Sequence, residues 1–298
     1  MVLGESPAVA RRRLRLALRK AREAKSLTQT QVAVALDWSL SKVQRIESGE
    51  VTVSSTDLRA LLGQLGITDP DRVEQMVEDA RTSRRRGWWD EPRYREHLNP
   101  ATMQLLQFES QATAVRSFHP TMVPGLFQTR AYAEFVLNFW SDVLSEEDRA
   151  VRFEVRMRRR DHVFDRPEPP RYLLILDESV LSREVGGAKV MAEQLQELLV
   201  LARKPSVILR VIPLADAAVL TLLGPFMIFD LDEEENAVLY RESSLRDEMV
   251  HTPSVTRRYR DVFELMWEQS LNEEASVRLV EARASATLSS LDRPRPYG

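Results

Sequence analysis

The sequence predicts a mainly α protein: an N-terminal five-helix bundle with a helix-turn-helix, plus an α+β C-terminal domain with a small mixed sheet. Three observations lead there. Short, capped, amphipathic segments fill positions 1–86. Apolar runs of strand character occur only after position 170, between helical segments. The charge balance changes sign near position 86: residues 1–86 hold 16 basic and 11 acidic side chains, whereas residues 87–298 hold 26 and 34. The expected domains are therefore 1–86 and 87–298, and only the first is basic enough to attract a polyanion.

In the first domain, Val9 to Lys25 places Val9, Leu14, Ala17, Leu18 and Ala21 largely on one stripe, entered through Ser6-Pro7. Thr28 and Gln31 have the capping-box spacing at the start of a helix reaching Leu36, with Val32, Ala33 and Leu36 inward. Asp37-Trp38 is a very short break. Ser39 then caps Leu40–Ser48, whose buried stripe is Val43 and Ile46 and whose end is Gly49. Two short capped helices across a turn of about three residues describe a helix-turn-helix. Ser55 caps a fourth helix, Thr56 to Leu65, closed by Gly66, and a fifth runs from Pro70 to about Arg84.

In the second domain, Asn99-Pro100 opens a helix to about Arg116, with Leu105, Phe108, Ala112 and Val115 as its stripe. Pro124-Gly125-Leu126 is a turn, followed by a helix from Thr129 to about Phe139. Ser145 with Asp148 opens a long helix to about Asp165, stopped by Pro167, Pro169 and Pro170. Arg171–Leu176 and Ser206–Leu214 read as strands on either side of a helix from Lys189 to Lys204. Pro225–Leu231 and Ala237–Arg241 read as an antiparallel hairpin across an acidic turn at 232–236. Helices from Ser254 to Ser270 and from Asn272 to about Ser290 close the chain.

Composition excludes several chemistries. There is no cysteine, which removes thiol catalysis, disulfides and cysteine-ligated zinc. His97, His119, His162 and His251 lie far apart without metal-ligand spacing, so no metal is expected. The longest uncharged apolar stretch, Ala217 to Phe229, is too short for a bilayer and is broken by Gly224 and Pro225. The first ten residues lack an apolar signal-peptide core, so a cytoplasmic location without membrane contact is expected. No P-loop, G-x-S-x-G or G-x-G-x-x-G pattern is present, and neither catalysis nor a cofactor is expected. Asp177 and Glu178 follow a strand, where acidic catalysts occur, but no His or Lys stands at a helpful spacing. The structural reading of Asp177 is a cap for the next turn.

The stretch Leu27–Gly49, "LTQTQVAVALDWSLSKVQRIESG", resembles the helix-turn-helix of the XRE (phage Cro and repressor) family. The Leu-Thr-Gln opening, Ala33, the Ser-x-x-x-Val spacing and the Ile-Glu-x-Gly ending carry the likeness, over roughly residues 9–66. Asp37 stands where this turn often holds glycine, and Asp tolerates the left-handed conformation better than most residues. The resemblance implies that the third helix enters the major groove of double-stranded DNA, with Leu40, Ser41 and Arg45 toward bases. Arg45 can donate two hydrogen bonds to a guanine, worth about 1–3 kcal/mol of discrimination. Ser41 can bond either base type, and Leu40 can touch a thymine methyl. Lys42 and Gln44 are assigned to phosphates or flanking bases, and Ser39 completes the set. Gln29, at the start of the second helix, is placed against a phosphate. The family pattern also pairs Arg22 with Glu47 as a structural, partly buried ion pair.

Three further stretches, "MVPGLFQTRAYAEFVL" (Met122–Leu137), "LDESVLSREVGG" (Leu176–Gly187) and "LGPFMIFDL" (Leu223–Leu231), resemble the C-terminal domain of WhiJ-like regulators of actinomycetes, over about 100–275. That family joins an XRE-type reader to an antitoxin-like domain paired with small partner proteins. The resemblance implies a second domain that receives a signal. Candidates for a ligand pocket there are Glu109, Phe118, His119, Phe127, Arg130, Tyr132 and Arg183. The expected function is a sequence-specific transcriptional regulator, acting as a homodimer and sensing a small-molecule effector or a small partner protein. The alternative is an antitoxin-like protein-interaction switch with autoregulatory DNA binding, ahead of an enzyme fused to a DNA reader.

Overall fold

A computed structural model of the chain divides into two compact units, Met1–Asp90 and Glu91–Gly298. The structure describes residues 7–48, 51–84, 87–215, 223–231, 237–243 and 247–291. The expected cap Gly49 and the acidic turn at 232–236 lie outside them. The division falls at 90 rather than 86. Trp88–Asp90 forms a 3₁₀ turn whose Asp90 carboxylate acts electrostatically on Arg11 of the first helix.

The first unit holds helices α1 (Pro7–Ala24), α2 (Gln29–Ala35), α3 (Leu40–Ser48), α4 (Ser55–Leu65) and α5 (Pro70–Thr82). Thr28 and Gln31 form the capping box: Gln31 N donates to Thr28 Oγ1 (3.2 Å) and Thr28 N donates to Gln31 Oε1 (2.8 Å). The cap of α4 is Ser54 rather than Ser55, accepting from Asp57 N at 3.0 Å, and Asp69 caps α5. Leu14, Leu18, Val32, Ala33, Val43, Ile46, Leu58 and Val77 form one buried core, with Leu36 and Trp38 packed against it. Arg13 of α1 donates from Nε to Asp79 of α5 at 2.9 Å, which ties the first helix of the bundle to the last.

Three helix ends in this unit share one geometry. At the end of α2, Asp37 is left-handed (φ 55°), Trp38 N donates to Ala33 O (2.9 Å) and Asp37 N donates to Val34 O (3.2 Å). These two bonds define a Schellman turn, which normally places glycine at the left-handed position. Ser26 (φ 54°) repeats it after α1, with Leu27 N to Arg22 O and Ser26 N to Glu23 O. Gly66 (φ 72°) repeats it after α4. The break between α2 and α3 is thus as short as a Schellman turn permits, and this fixes the angle at which α3 leaves.

The second unit begins with α6 (Pro92–Arg95) and α7 (Pro100–Glu109), then strand β1 (Ala114–His119). A 3₁₀ turn (Gly125–Phe127), α8 (Arg130–Asn138) and α9 (Glu146–Phe164) lead to β2 (Arg171–Asp177). Then follow α10 (Glu178–Ser182), α11 (Ala188–Ala202), β3 (Val207–Ile212), β4 (Phe226–Asp230), β5 (Val238–Arg241), β6 (Glu248–Val250), α12 (Pro253–Gln269) and α13 (Glu273–Leu291). The strands form one mixed sheet in the order β3-β2-β1-β4-β5-β6. β1 is parallel to β2 and β2 to β3, while the remaining pairs are antiparallel. The β4–β5 pair is the expected hairpin.

The central strand β1 corrects the sequence reading, which carried the preceding helix on to Arg116. Ala112 and Val115 do fit a helical stripe. The helix stops at Glu109 because Arg166, far along the chain, donates to Ser110 O (2.6 Å) and Ala112 O (2.5 Å). Those carbonyls are turned away from any further helical turn. The released segment then pairs on both edges, Val115 opposite Tyr172 and Phe229. Strand β6 and helix α10 are also additions. Asp177 caps α10, accepting from Ser179 N at 2.8 Å, so its role is structural.

The sheet's two faces differ. Phe118, Ile175, Phe226, Ile228 and Leu239 pack under Phe263 and Met266 of α12. On the opposite face Tyr172 meets Phe127 (5.0 Å between ring centroids) and Phe164 of α9. Helices α11 and α13 pack on each other beside β3.

Asp37 gives a test of the turn. Asp37→Val should lower the stability of the first unit by about 1–2 kcal/mol, whereas Asp37→Gly should change it by less than about 0.5 kcal/mol. Urea midpoints measure both, and equal losses would contradict a left-handed requirement at this position.

Candidate functional site

The Schellman turn delivers α3 with its two faces cleanly separated. Val43 and Ile46 are buried in the core. Ser39, Leu40, Ser41, Gln44 and Arg45 are exposed, and Leu40 is 39% accessible although it is apolar. Ser39 caps the helix by accepting from Lys42 N (3.2 Å). An exposed leucine beside a capping serine and an arginine, on a nine-residue helix, presents the mixture of apolar and hydrogen-bonding groups that base edges in a major groove require.

Glu47, on the inner side of α3, gathers three elements. Arg22 of α1 donates to it twice, from Nε at 2.7 Å and from Nη2 at 3.1 Å. Gln29 of α2 donates from Nε2 at 2.9 Å. Arg22 also donates to Leu27 O at 2.7 Å, within the link between α1 and α2. Only 12% of the Arg22 side chain and 7% of the Glu47 side chain are accessible. The hydrogen bonds to Glu47 hold the Arg22 guanidinium above its ordinary pKa. Sequence reasoning paired Arg22 with Glu47 but placed Gln29 against a phosphate. The structure half-buries Gln29 and commits one amide hydrogen to Glu47. Lys42 donates to Asp57 at 3.0 Å and sits 3.8 Å above the Trp38 ring. Its partner is exposed, and such surface pairs are worth about 0–1 kcal/mol, so a phosphate can replace it.

The second unit contains a cavity of about 660 Å³ between α7, α8 and α9 and the sheet face of β1, β4 and β5. Its inner wall is polar. Arg152, Arg156 and Arg159 stand at successive turns of α9, facing His119, Tyr240, Glu242 and Asp247. Its outer wall is apolar, from Met122, Val136, Leu137, Trp140, Val143 and Leu144.

These groups are tuned by burial. Arg159 is locked to buried Glu109 by two hydrogen bonds, one of them 2.7 Å from Nη2. Arg156 donates to Gln128 Oε1 (2.7 Å), and burial pushes it down to about 10, so it stays charged at neutral pH. Glu242 lines the cavity and is partly open to solvent. Desolvation by the surrounding side chains and the neighbouring Asp247 push its carboxyl above the usual range. His119 lies against Ser117 Oγ (3.0 Å), and burial, helped by Arg159, pushes it down to about 3.

Of the seven pocket candidates read from the sequence, only His119 lines this cavity. Glu109 lies behind the wall, on Arg159. Phe118 and Phe127 are core aromatics, and Tyr132 is buried, accepting from Val123 N through its hydroxyl. Arg130 is exposed, 4.8 Å over the Phe153 ring, and Arg183 is exposed as well. The missed residues are the arginines of α9. Their i, i+4, i+7 spacing around buried Val151 and Val155 was the available signal, hidden in a helix that reads as uniformly charged.

Residues 13–76 match a helix-turn-helix domain. Together with the exposed face of α3, this defines the chain as a helix-turn-helix protein, a class that binds duplex DNA, with a mixed-sheet unit attached. Residues 102–282 match a domain of unknown function, DUF5753, over more than half of the chain, and the chain belongs to that family. No curated protein and no solved structure matches it significantly. Among the described residues, no helix is long and apolar enough to cross a membrane, and no cluster of His, Asp or Glu could hold a metal ion.

Glu47→Ala should destabilise the first unit by about 3 kcal/mol, because Arg22 and Gln29 lose their acceptor together. A urea midpoint unchanged by the substitution would show that the cluster is dispensable. His119 gives a pH dependence. Its folded pKa lies below the unfolded value, so its contribution to stability is complete above about pH 6.5 and is lost as the pH falls toward 3. Between pH 6.5 and 5 the wild type should lose about 1–2 kcal/mol more than His119→Asn. Parallel pH profiles would refute a buried neutral imidazole.

Proposed function

We propose that this chain is a sequence-specific transcriptional regulator of XRE type. In this reading α3 lies in the major groove, with Leu40, Ser41 and Arg45 toward bases and Gln44 toward flanking bases or phosphate. Ser39 and Lys42 approach the backbone, Lys42 by exchanging Asp57 for a phosphate. Gln29 reaches a phosphate through its second amide hydrogen, oriented by the bond to Glu47. The observation that carries the reading is the exposed, mixed-polarity N-terminal half of α3, set rigidly by the Schellman turn and the Glu47 cluster. A single recognition helix reads few base pairs, so the protein acts as a homodimer on a two-fold site.

The second unit, in the same proposal, is the WhiJ-like sensing half, and its cavity receives the effector. A second reading makes that unit an antitoxin-like holder of a small partner protein. It draws on exposed Phe139 and Val143, each 75% accessible, at the end of α8 and just beyond it. The two differ in what releases DNA: a small molecule in the first, a co-purifying protein in the second.

The test is selection of bound duplexes from a random library by the full chain, followed by titration of the enriched sequence. Arg45→Ala should weaken binding about 5- to 150-fold and relax selection at one base pair. Equal affinity before and after would remove Arg45 from the reading set, and failure to select any sequence at low salt would remove the function.

A further inference from the structure

The cavity of the second unit is asymmetric in a way that specifies a ligand. Arg159 is satisfied by Glu109, and Asp247 accepts from Ser243 N (3.2 Å) and pairs with the Tyr240 hydroxyl. Arg152 differs: its Nε is buried without a hydrogen-bond partner. Arg11, Trp89, Arg149 and Arg210 also bury an unmatched donor, but of the five only Arg152 lines the cavity, where a ligand can supply the acceptor. Arg156 stands one turn further along α9, its charge retained; it donates to the neutral amide of Gln128 and feels Glu242 only electrostatically. The two guanidiniums therefore line the same space, and among the described residues no carboxylate is hydrogen-bonded to either. Met122, Val136, Trp140, Val143 and Leu144 form the opposite end, and Met122, Trp140 and Val143 are exposed to solvent there. The volume lies within the range of pockets that enclose small organic ligands.

We infer that this cavity binds an amphipathic organic carboxylate, its head on Arg152 and Arg156 and its apolar body against the wall from Val136 to Leu144. Guanidinium geometry favours the planar, bidentate carboxylate as acceptor. A neutral lipid would offer these arginines only an uncharged acceptor, and an amine placed at the same point would meet two cations. The identification rests on the reading of the second unit as a sensing domain, and it names the chemical class that the domain senses.

The probe is dodecanoate below its micelle concentration, titrated into the full chain by calorimetry, with dodecan-1-ol and dodecylamine as controls. Dodecanoate should bind about tenfold or more tightly than either control, and Arg152→Ala should lose about tenfold or more of that affinity. Arg152→Lys keeps the charge without the bidentate fork and should fall between. Arg130→Ala, on the exposed side of α8, should bind as the wild type does. If the alcohol binds as tightly as the acid, or if Arg152→Ala and Arg152→Lys both bind like the wild type, the inference is overturned. Binding of the selected duplex, measured on the same samples without dodecanoate, is a separate readout. Its loss would count against the DNA-reading function and leave the carboxylate site standing. An unchanged duplex affinity with dodecanoate bound would remove the sensing role alone.

Discussion

The carboxylate of Glu47 is the point on which the N-terminal unit turns. It belongs to the helix that presents the reading face, yet its hydrogen bonds go to Arg22 of the first helix and Gln29 of the second. A charged group almost excluded from water is tolerable only when its acceptors are filled, and here three donors fill them. The geometry of the reading helix is therefore specified by a polar contact of fixed length and direction, on top of an apolar core that fixes it only to within the slack of side-chain packing. The Schellman turn at Asp37 supplies the complementary constraint from the backbone side, by setting how the chain leaves α2.

Local signals of this kind were legible in the sequence. Thr28 with Gln31, Ser39 and Gly66 all act where their residue types predict, because caps depend on neighbours two to four positions away. The hairpin of β4 and β5 and the long α9 were legible for the same reason. What failed were features decided by distant residues. The helix α7 ends just before the carbonyls of Ser110 and Ala112 that Arg166 captures, and nothing between positions 100 and 116 announces that. Strand β1 then exists because β2 and β4 are there to receive it on both edges. The pocket failed likewise. Phe118 and Phe127 looked like pocket aromatics in sequence, but they point into the two cores on either side of the sheet. The arginines of α9 looked like solvated surface, but the packing of α7 and α8 over that helix encloses them.

The two units place charge differently. In the first, arginines serve as struts: Arg13 on Asp79 and Arg22 on Glu47 join helices that also share an apolar core. In the second, Arg159 and Arg160 of α9 are struts on Glu109 and Glu197, while Arg152 and Arg156 open on a cavity that Glu242 and Asp247 also line. The same residue type on one helix thus divides between holding the fold and lining a cavity. The division follows from which positions have a carboxylate within reach.

The surface of α3 has a consequence for the history of such a protein. The framework contacts of this helix sit at Val43, Ile46 and Glu47, whereas Leu40, Ser41, Gln44 and Arg45 lie outside the core. Vocabulary and scaffold are held by separate residues. If α3 reads DNA as proposed, a lineage can change the sequence it recognises by drift at four outward positions while selection on folding keeps the inward three in place.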